Sequence, residues 1–304
     1  MNVCRKLAVI VPTLDRPEQL DAFLRSVRAS RVAPSRVIIV ESGSARSKDV
    51  AARYGELDIV HVMSDRGITV QRNIGIKNLG AGHGLVAFFD DDIELFPDTL
   101  EKAVEYFDKA PAGTAGASCN IVNHPRPKTT FFERFFLLGT DEVGRVLRSG
   151  FFGKICSADR DYKVEWLVGC ATFWRREVLE RGFDEWFRGY GHYEDVDFSY
   201  GVSREQDLFV LAGARVLHNT AHIEESAQFY MGKMQAANRI YFVKKHEELS
   251  IPLCYWACLG LFLKNILFGL FLARKKYLVR AGGVLAGIIS AFFRAESSTA
   301  RIKK

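Results

Sequence analysis

Along the chain, short uninterrupted apolar runs alternate with stretches whose apolar residues recur at helical spacing. Residues 7–11 form a run rich in β-branched side chains with no polar break, the pattern of a strand buried on both faces. Pro17 then opens a segment with Leu20, Phe23, Leu24 and Val27 on one helical face; proline suits a first helical position, where no amide donor is needed. Residues 37–40 read as a second buried strand, followed by a polar turn and a short helix near 48–54. Residues 57–63 read as a third, with a helix over about 69–79 behind it, and Leu85–Phe89 as a fourth. Such strands separated by amphipathic helices predict an α/β fold with a mainly parallel sheet covered on both faces. From 124 to 165 the pattern turns irregular, with Pro125, Pro127 and the aromatic group Phe131, Phe132, Phe135 and Phe136. That stretch reads as an insertion serving as a lid or acceptor wall, or as plain aromatic packing. A strand signal returns at 166–174, a helix starts near Glu194, and a long helix over about 226–245 closes the body.

The fourth run ends in Asp90, Asp91 and Asp92. Three adjacent ionised carboxylates repel one another unless a cation neutralises them. Mg²⁺ and Mn²⁺ favour such oxygen sites and share them with substrate phosphates. An acidic turn or a helix cap is the plainer alternative. Ligands of open parallel sheets bind beyond the carboxyl ends of the strands, where these aspartates fall. The first strand runs into Pro12-Thr13-Leu14-Asp15-Arg16 with no glycine, which argues against a dinucleotide fingerprint and against a glycine-rich pyrophosphorylase loop; a P-loop is absent too.

A chain of 304 residues, 48% apolar and 26% charged, can bury a sizeable core. The net charge of +6 is uneven: residues 264–304 hold nine basic residues and one acid, which leaves −2 for the rest. No basic stripe with interleaved aromatics crosses the body, so nucleic-acid binding is not expected. The six cysteines lack C-x-x-C spacing and read as small apolar residues in a reducing compartment, Cys254 and Cys258 lying one helical turn apart. A short polar start leads straight into the first strand, so a cytoplasmic location is expected.

Several motifs, in order, resemble a family 2 glycosyltransferase of the GT-A fold over about residues 7–245. Val11-Pro12-Thr13-Leu14-Asp15-Arg16 resembles the family's first loop, with Asp15 in place of the common asparagine. Ile38-Ile39-Val40-Glu41-Ser42-Gly43-Ser44 resembles the segment whose acid contacts the nucleotide base, Glu41 replacing aspartate. Gln71-Arg72-Asn73-Ile74-Gly75 is similar to the A-R-N-x-G signature, and Asp90-Asp91-Asp92 to D-x-D. Gly191-His192-Tyr193-Glu194-Asp195-Val196-Asp197, preceded by Gly182-Phe183-Asp184-Glu185, resembles the acidic motif that carries the catalytic base. The resemblance implies a GT-A catalytic region over 1–248, donor contacts from Pro12, Thr13, Asp15, Arg16, Glu41, Arg72, Asn73, Asp90 and Asp91, and Mn²⁺ or Mg²⁺ on Asp90 and Asp92. Asp91 faces the sheet or the sugar, Arg72 pairs with a phosphate or with the aspartates, and Asn73 fixes the loop or touches donor hydroxyls. Asp195 is the expected base, with Glu194 its competitor and helix capping the plainer role of both. His218 is the expected further metal ligand, with His222 the nearby alternative. A single base that deprotonates the acceptor hydroxyl implies direct displacement with inversion. The implied partners are a nucleotide-diphosphate sugar and a glycan or lipid-linked glycan. Transfer onto a polyprenyl phosphate, and a catalytically silent nucleotide-sugar-binding scaffold, are the rival readings.

Residues 249–304 read as a basic, apolar helical region that associates with a membrane. The stretch 251–273 is almost wholly apolar apart from Lys264 and Asn265. A central lysine would cost ~3 kcal/mol in a bilayer, so two half-length segments lying in the interface are expected, with Lys264, Arg274, Lys275 and Lys276 facing anionic headgroups. Residues 282–293 form a second apolar stretch, too short to span. Peripheral attachment to the cytoplasmic face of the inner membrane follows, with a soluble helical subdomain or an oligomer interface as alternatives.

Overall fold

The computed structural model describes residues 6–187, 191–220 and 225–299, the last six by backbone alone. Strands β1 (Leu7–Leu14), β2 (Arg36–Ser42), β3 (Ile59–Met63) and β4 (Leu85–Phe89) alternate with helices α1 (Pro17–Arg28), α2 (Lys48–Ala51) and α3 (Ile68–Lys77). Then come β5 (Ile93–Leu95), α4 (Thr99–Lys109), β6 (Thr114–Ile121), α5 (Phe131–Phe135), β7 (Tyr162–Val164), β8 (Ala171–Arg175), α6 (Glu194–Ser203) and β9 (Asp207–His218). Helices α7 (Gln228–Lys245), α8 (Ile251–Phe271) and α9 (Lys275–Thr299) end the described chain.

The strands form one sheet in the order β3-β2-β1-β4-β8-β6-β9-β5, with β7 also pairing β9. The half built from β3, β2, β1 and β4 is parallel, as the continuous apolar runs predict. The other half is mixed: β8 runs antiparallel to β4 and β6, β9 is parallel to β6, and β5 is antiparallel to β9. β5 and β7 are three residues each, too short for periodicity to reveal, while β6 and β9 are longer but interleaved with small and polar positions; of this half only β8 falls under a strand signal. β8 begins five residues later than the strand signal at 166, leaving an irregular stretch before Ala171.

β1 extends through Pro12 to Leu14, three residues beyond its apolar run. Proline is tolerated there because the register with β4 ends at Ile10↔Phe88, and only β2 pairs further along. The core packs α1 residues Leu20, Phe23, Leu24 and Val27 and α4 residues Leu100, Ala103 and Phe107 against the buried faces of β1, β2 and β4. Phe89 links these layers, meeting Phe23 at 5.7 Å and Phe173 at 5.6 Å.

The chain divides into two compact units, residues 1–126 with 155–220, and residues 127–154 with 221–304. The sheet lies in the first. In the second, α7 packs on α8 and α9, and the insertion helix α5 joins them. A Cβ on Gly283 would stand 2.0 Å from the Phe229 carbonyl oxygen, so α7 and α9 meet backbone to backbone. Residues 251–271 form one continuous helix of 21 residues, not two half-length segments. Lys264 lies within it, 2.7 Å from Glu133 Oε1, so the lysine is paired with an acid of α5, both side chains part-exposed. The second apolar stretch also belongs to a longer helix, α9, whose 19 residues Lys275–Phe293 have a mean hydropathy of 1.4.

Candidate functional site

Because β1, β2 and β4 are parallel, their carboxyl ends share one edge of the sheet, where Thr13 and the three aspartates come together. The triplet divides by direction. Asp91 turns inward, only 3% exposed; Thr13 Oγ1 donates to its Oδ2 at 2.7 Å and Arg16 Nη1 to its Oδ1 at 2.6 Å. Burial pushes its carboxyl up to about 7, against the pull of Thr13 and Arg16. Asp91 therefore ties the first loop to the end of β4.

Asp90 and Asp92 turn away from Asp91, Asp90 partly open at 35% side-chain exposure and Asp92 mostly enclosed at 10%. The antiparallel pairing of β5 with β9 sets Ile93 opposite His218, and the Asn219 amide donates to the Asp92 carbonyl at 2.9 Å. His218 Nε2 thereby reaches Asp92 Oδ1 at 3.2 Å. One ligand atom each from Asp90, Asp92 and His218 lie within 4.8 Å of one another. Two carboxylates and an imidazole fit a divalent cation. Enclosure raises the Asp90 carboxyl, Arg72 opposing and Asp92 reinforcing; burial would raise Asp92 too, but His218 and Arg16 outweigh it and lower it. Asn123 braces the histidine's backbone, accepting from its amide at 3.0 Å and donating to its carbonyl at 3.1 Å. The His124 ring stacks on the His218 ring at 5.3 Å. His222 lies outside the described residues.

Arg72 is buried between the Phe88 and Phe183 rings. It donates to Glu194 Oε1 at 3.1 Å and to the Gly169 carbonyl at 2.9 Å, and stands 3.7 Å from Asp90 Oδ1. Glu194 is buried against it, and burial together with Asp195 raises the Glu194 carboxyl. Asp195 is half-buried at the start of α6, accepting from Gly169 N at 2.9 Å and Val196 N at 2.8 Å. Glu194, Asp195 and Asp197 all occupy the first turn of α6, where the helix dipole favours anions. The chain enters that turn through three consecutive left-handed residues, Gly191 (φ 80), His192 (φ 31) and Tyr193 (φ 86). Only the first carries no steric penalty for it, and strain of this kind concentrates at functional sites.

Other expected site residues sit elsewhere. Glu41 is fully buried, accepting from Ser47 N at 3.1 Å and Ser47 Oγ at 2.9 Å and lying 2.8 Å from His61 Nε2; it closes the turn into α2. Asp15, itself left-handed at φ 50, accepts from Ser44 N at 2.7 Å and Ser44 Oγ at 2.6 Å. Those bonds hold its carboxyl below the usual range. Asn73 accepts from Phe183 N at 2.7 Å and donates to Phe183 O and Glu185 Oε1 at 2.9 Å, fixing the loop. Pro12 is buried in β1.

Sequence reasoning passed over Gly169. A Cβ there would stand 2.7 Å from Asp195 Cβ and 3.0 Å from Arg72 Nη2, so only glycine lets the backbone pass between them. The available signal was an isolated glycine inside a strand-like run, which often marks a close backbone approach. Gln71 was also passed over as a chemical actor; its Nε2 donates to the carbonyls of Thr13 and Val40 at 2.8 Å each, bridging β1 and β2 at the site edge.

The sequence model of glycosyl transferase family 2 matches residues 8–183. An uncharacterized glycosyltransferase of Haemophilus influenzae is 27% identical over 120 residues, 39% of this chain; the chain spans 38% of that curated relative's length. Among solved structures, a mannosyltransferase of Pyrobaculum calidifontis in complex with GDP-Man and Mn²⁺ is similar with a TM-score of 0.59 and 15% identity, covering 95% of this chain and 87% of that one. S. aureus TarS 1-349 is similar with a TM-score of 0.55 and 16% identity, covering 93% and 81%.

Proposed function

The chain belongs to glycosyl transferase family 2, and from that premise we propose a metal-dependent inverting enzyme that moves a sugar from a nucleotide-diphosphate donor to a glycan or lipid-linked glycan in cell-surface polysaccharide synthesis. The observation that carries this reading is the gathering of Asp90, Asp92 and His218 at one sheet edge, joined through Arg72 and Gly169 to Asp195. Asp90, Asp92 and His218 would hold Mn²⁺, or the harder Mg²⁺. When bound there, the cation supplies Lewis-acid stabilisation of charge on a departing diphosphate.

Asp195 takes the proton of the acceptor hydroxyl as that oxygen bonds to the anomeric carbon and the bond to the diphosphate breaks. Attack from the face opposite the leaving group inverts the centre, so an α-linked donor of the D series gives a β-linked product. Glu194, buried on Arg72, holds the arginine against Asp90. The GDP-Man and Mn²⁺ held by the Pyrobaculum mannosyltransferase support the donor and metal class.

Helices α8 and α9 fit attachment to the cytoplasmic face of the inner membrane. Their apolar windows have mean hydropathies of 1.6 and 1.4, and 33% and 28% of them is buried. The covering of the Trp256–Gly260–Lys264 face of α8 by α5 supports a peripheral arrangement over a full crossing.

The test is donor turnover. With Mn²⁺ and a panel of nucleotide-diphosphate sugars that includes GDP-mannose, the purified chain should release nucleoside diphosphate. EDTA, or the paired Asp90→Ala and Asp92→Ala change, should reduce release by at least about a hundredfold. Unchanged release in EDTA would refute the metal-dependent reading.

A further inference from the structure

We propose that the insertion 127–154 is part of the membrane-contacting surface, with Phe131 and Phe135 of α5 entering the headgroup region of an anionic phospholipid bilayer. The inference rests on the membrane reading above and extends it to a segment far upstream of the C-terminal helices.

Apolar exposure is sharply partitioned. Apart from Met63, every exposed large hydrophobic residue among the described residues belongs to the second unit. Phe131 is 84% exposed and Phe271 83%. Soluble surfaces scatter single apolar residues, whereas concentrations of this kind mark interaction faces.

α5 is fastened to α8 along one stripe. The Phe136 ring stacks on Trp256 at 4.8 Å, Phe135 meets the same indole edge-on at 5.4 Å, and Trp256 Nε1 donates to the Phe135 carbonyl at 3.0 Å. One turn further, a Cβ on Gly260 would stand 2.3 Å from Phe136 Cβ, so the two helices touch. One turn further again, Lys264 Nζ donates to Glu133 Oε1 at 2.7 Å. Positions 256, 260 and 264 share a helix face, and α5 covers that face. Phe131 stacks on Phe135 at 6.5 Å and projects outward. Lys264 and Glu133 neutralise each other, which removes the charge that would otherwise oppose the approach of α8 to lipid.

The charge pattern selects the occupant. Exposed Leu270, Phe271 and Leu272 lead directly into Arg274, Lys275 and Lys276, and no acidic residue occurs between Glu248 and Glu296. Aromatic and aliphatic side chains beside unopposed cations suit an anionic lipid surface. A second copy packed symmetrically on the same face would bring those cations together.

The test is co-sedimentation of the full chain with phosphatidylcholine–phosphatidylglycerol vesicles. The F131S/F135S double variant should lower vesicle partition roughly tenfold; because Phe135 also packs on Trp256, Phe131→Ser alone, at a ring 84% exposed, is the arm in which partition falls with circular dichroism and melting midpoint unchanged. In parallel, Phe131→Trp should gain fluorescence quenching by brominated phosphatidylcholine. Partition equal to the unaltered chain, with no gain in quenching, would overturn the role of α5 and leave the membrane reading standing. An unaltered chain that ignores the vesicles would remove the membrane reading and this inference with it. A dimer that F131S/F135S converts to monomer, without vesicle binding, would assign the face to a second copy and also overturn the proposal.

Discussion

Asp195 accepts hydrogen bonds on both oxygens, from Gly169 N and Val196 N, so its carboxylate is aimed before any substrate arrives. Asp195→Asn keeps the shape and one acceptor but has no basicity; we expect kcat to fall by about 10²–10⁴ with nucleoside diphosphate affinity little changed, measured by turnover and by calorimetry. Near-normal turnover would assign proton removal elsewhere. Asp91 carries a different expectation. Its raised carboxyl keeps a proton in the folded chain that the unfolded chain releases between about pH 4 and 7, so its contribution to stability is full below that window and is lost as pH rises through it. In EDTA, the melting midpoint of Asp91→Asn should therefore gain on that of the unaltered chain from about pH 4 to about pH 7. At this scale the sequence marks which residues matter better than what they touch. The triplet stood out in the sequence as a candidate ion-binding group, but only the pleat, which turns Asp91 inward, separates its contacts from those of its neighbours. Asp15 replaces asparagine at a left-handed position, and both residues tolerate that conformation through local side-chain bonds. Glu41, expected against a base, is enclosed by Ser47 and His61, contacts with no periodic signature.

Between elements, glycine placement sets the spacing. A Cβ at Gly75 would stand 2.4 Å from Ile10 Cγ2, so the last residue of the Q-R-N-x-G motif serves the packing of α3 on β1. Gly75→Ala should cost about 1–3 kcal/mol of stability by overpacking, read by chemical denaturation, while Mn²⁺ still raises the melting point of the folded fraction. The parallel half of the sheet was legible because strands buried on both faces are written as unbroken apolar runs. The mixed half was not: β5 and β7 are three residues each, and their pairing with β9 depends on a chain reversal that local pattern does not encode. That pairing is what carries His218 to Asp92, which a family resemblance could anticipate and spacing could not. The continuous helix at 251–271 was broken in two by weighing Lys264 as a solitary charge, without its partner on α5.

For the whole molecule, the two units differ in surface chemistry, one carrying the acidic edge and the other the apolar and cationic face. Attachment should accordingly depend on charge as well as on apolar area. Reversing Arg274, Lys275 and Lys276 to glutamate should reduce binding to anionic vesicles by about tenfold or more at low salt, and raised salt should narrow the difference; equal binding by both forms would count against an electrostatic share. Solution turnover with a soluble acceptor should be unaffected by the same change. Within the first unit, Gly169 joins two side chains of the candidate site. One residue without a side chain gives its amide to the carboxylate of Asp195 and its carbonyl to the guanidinium of Arg72. The two ends of the proposed reaction centre thus share one peptide backbone, so a shift at either side chain is expected to be felt at the other. Energies of paired substitutions at 72 and 195 should then fail to add, and a double-mutant cycle would measure how tightly the proposed base is coupled to the arginine beside Asp90.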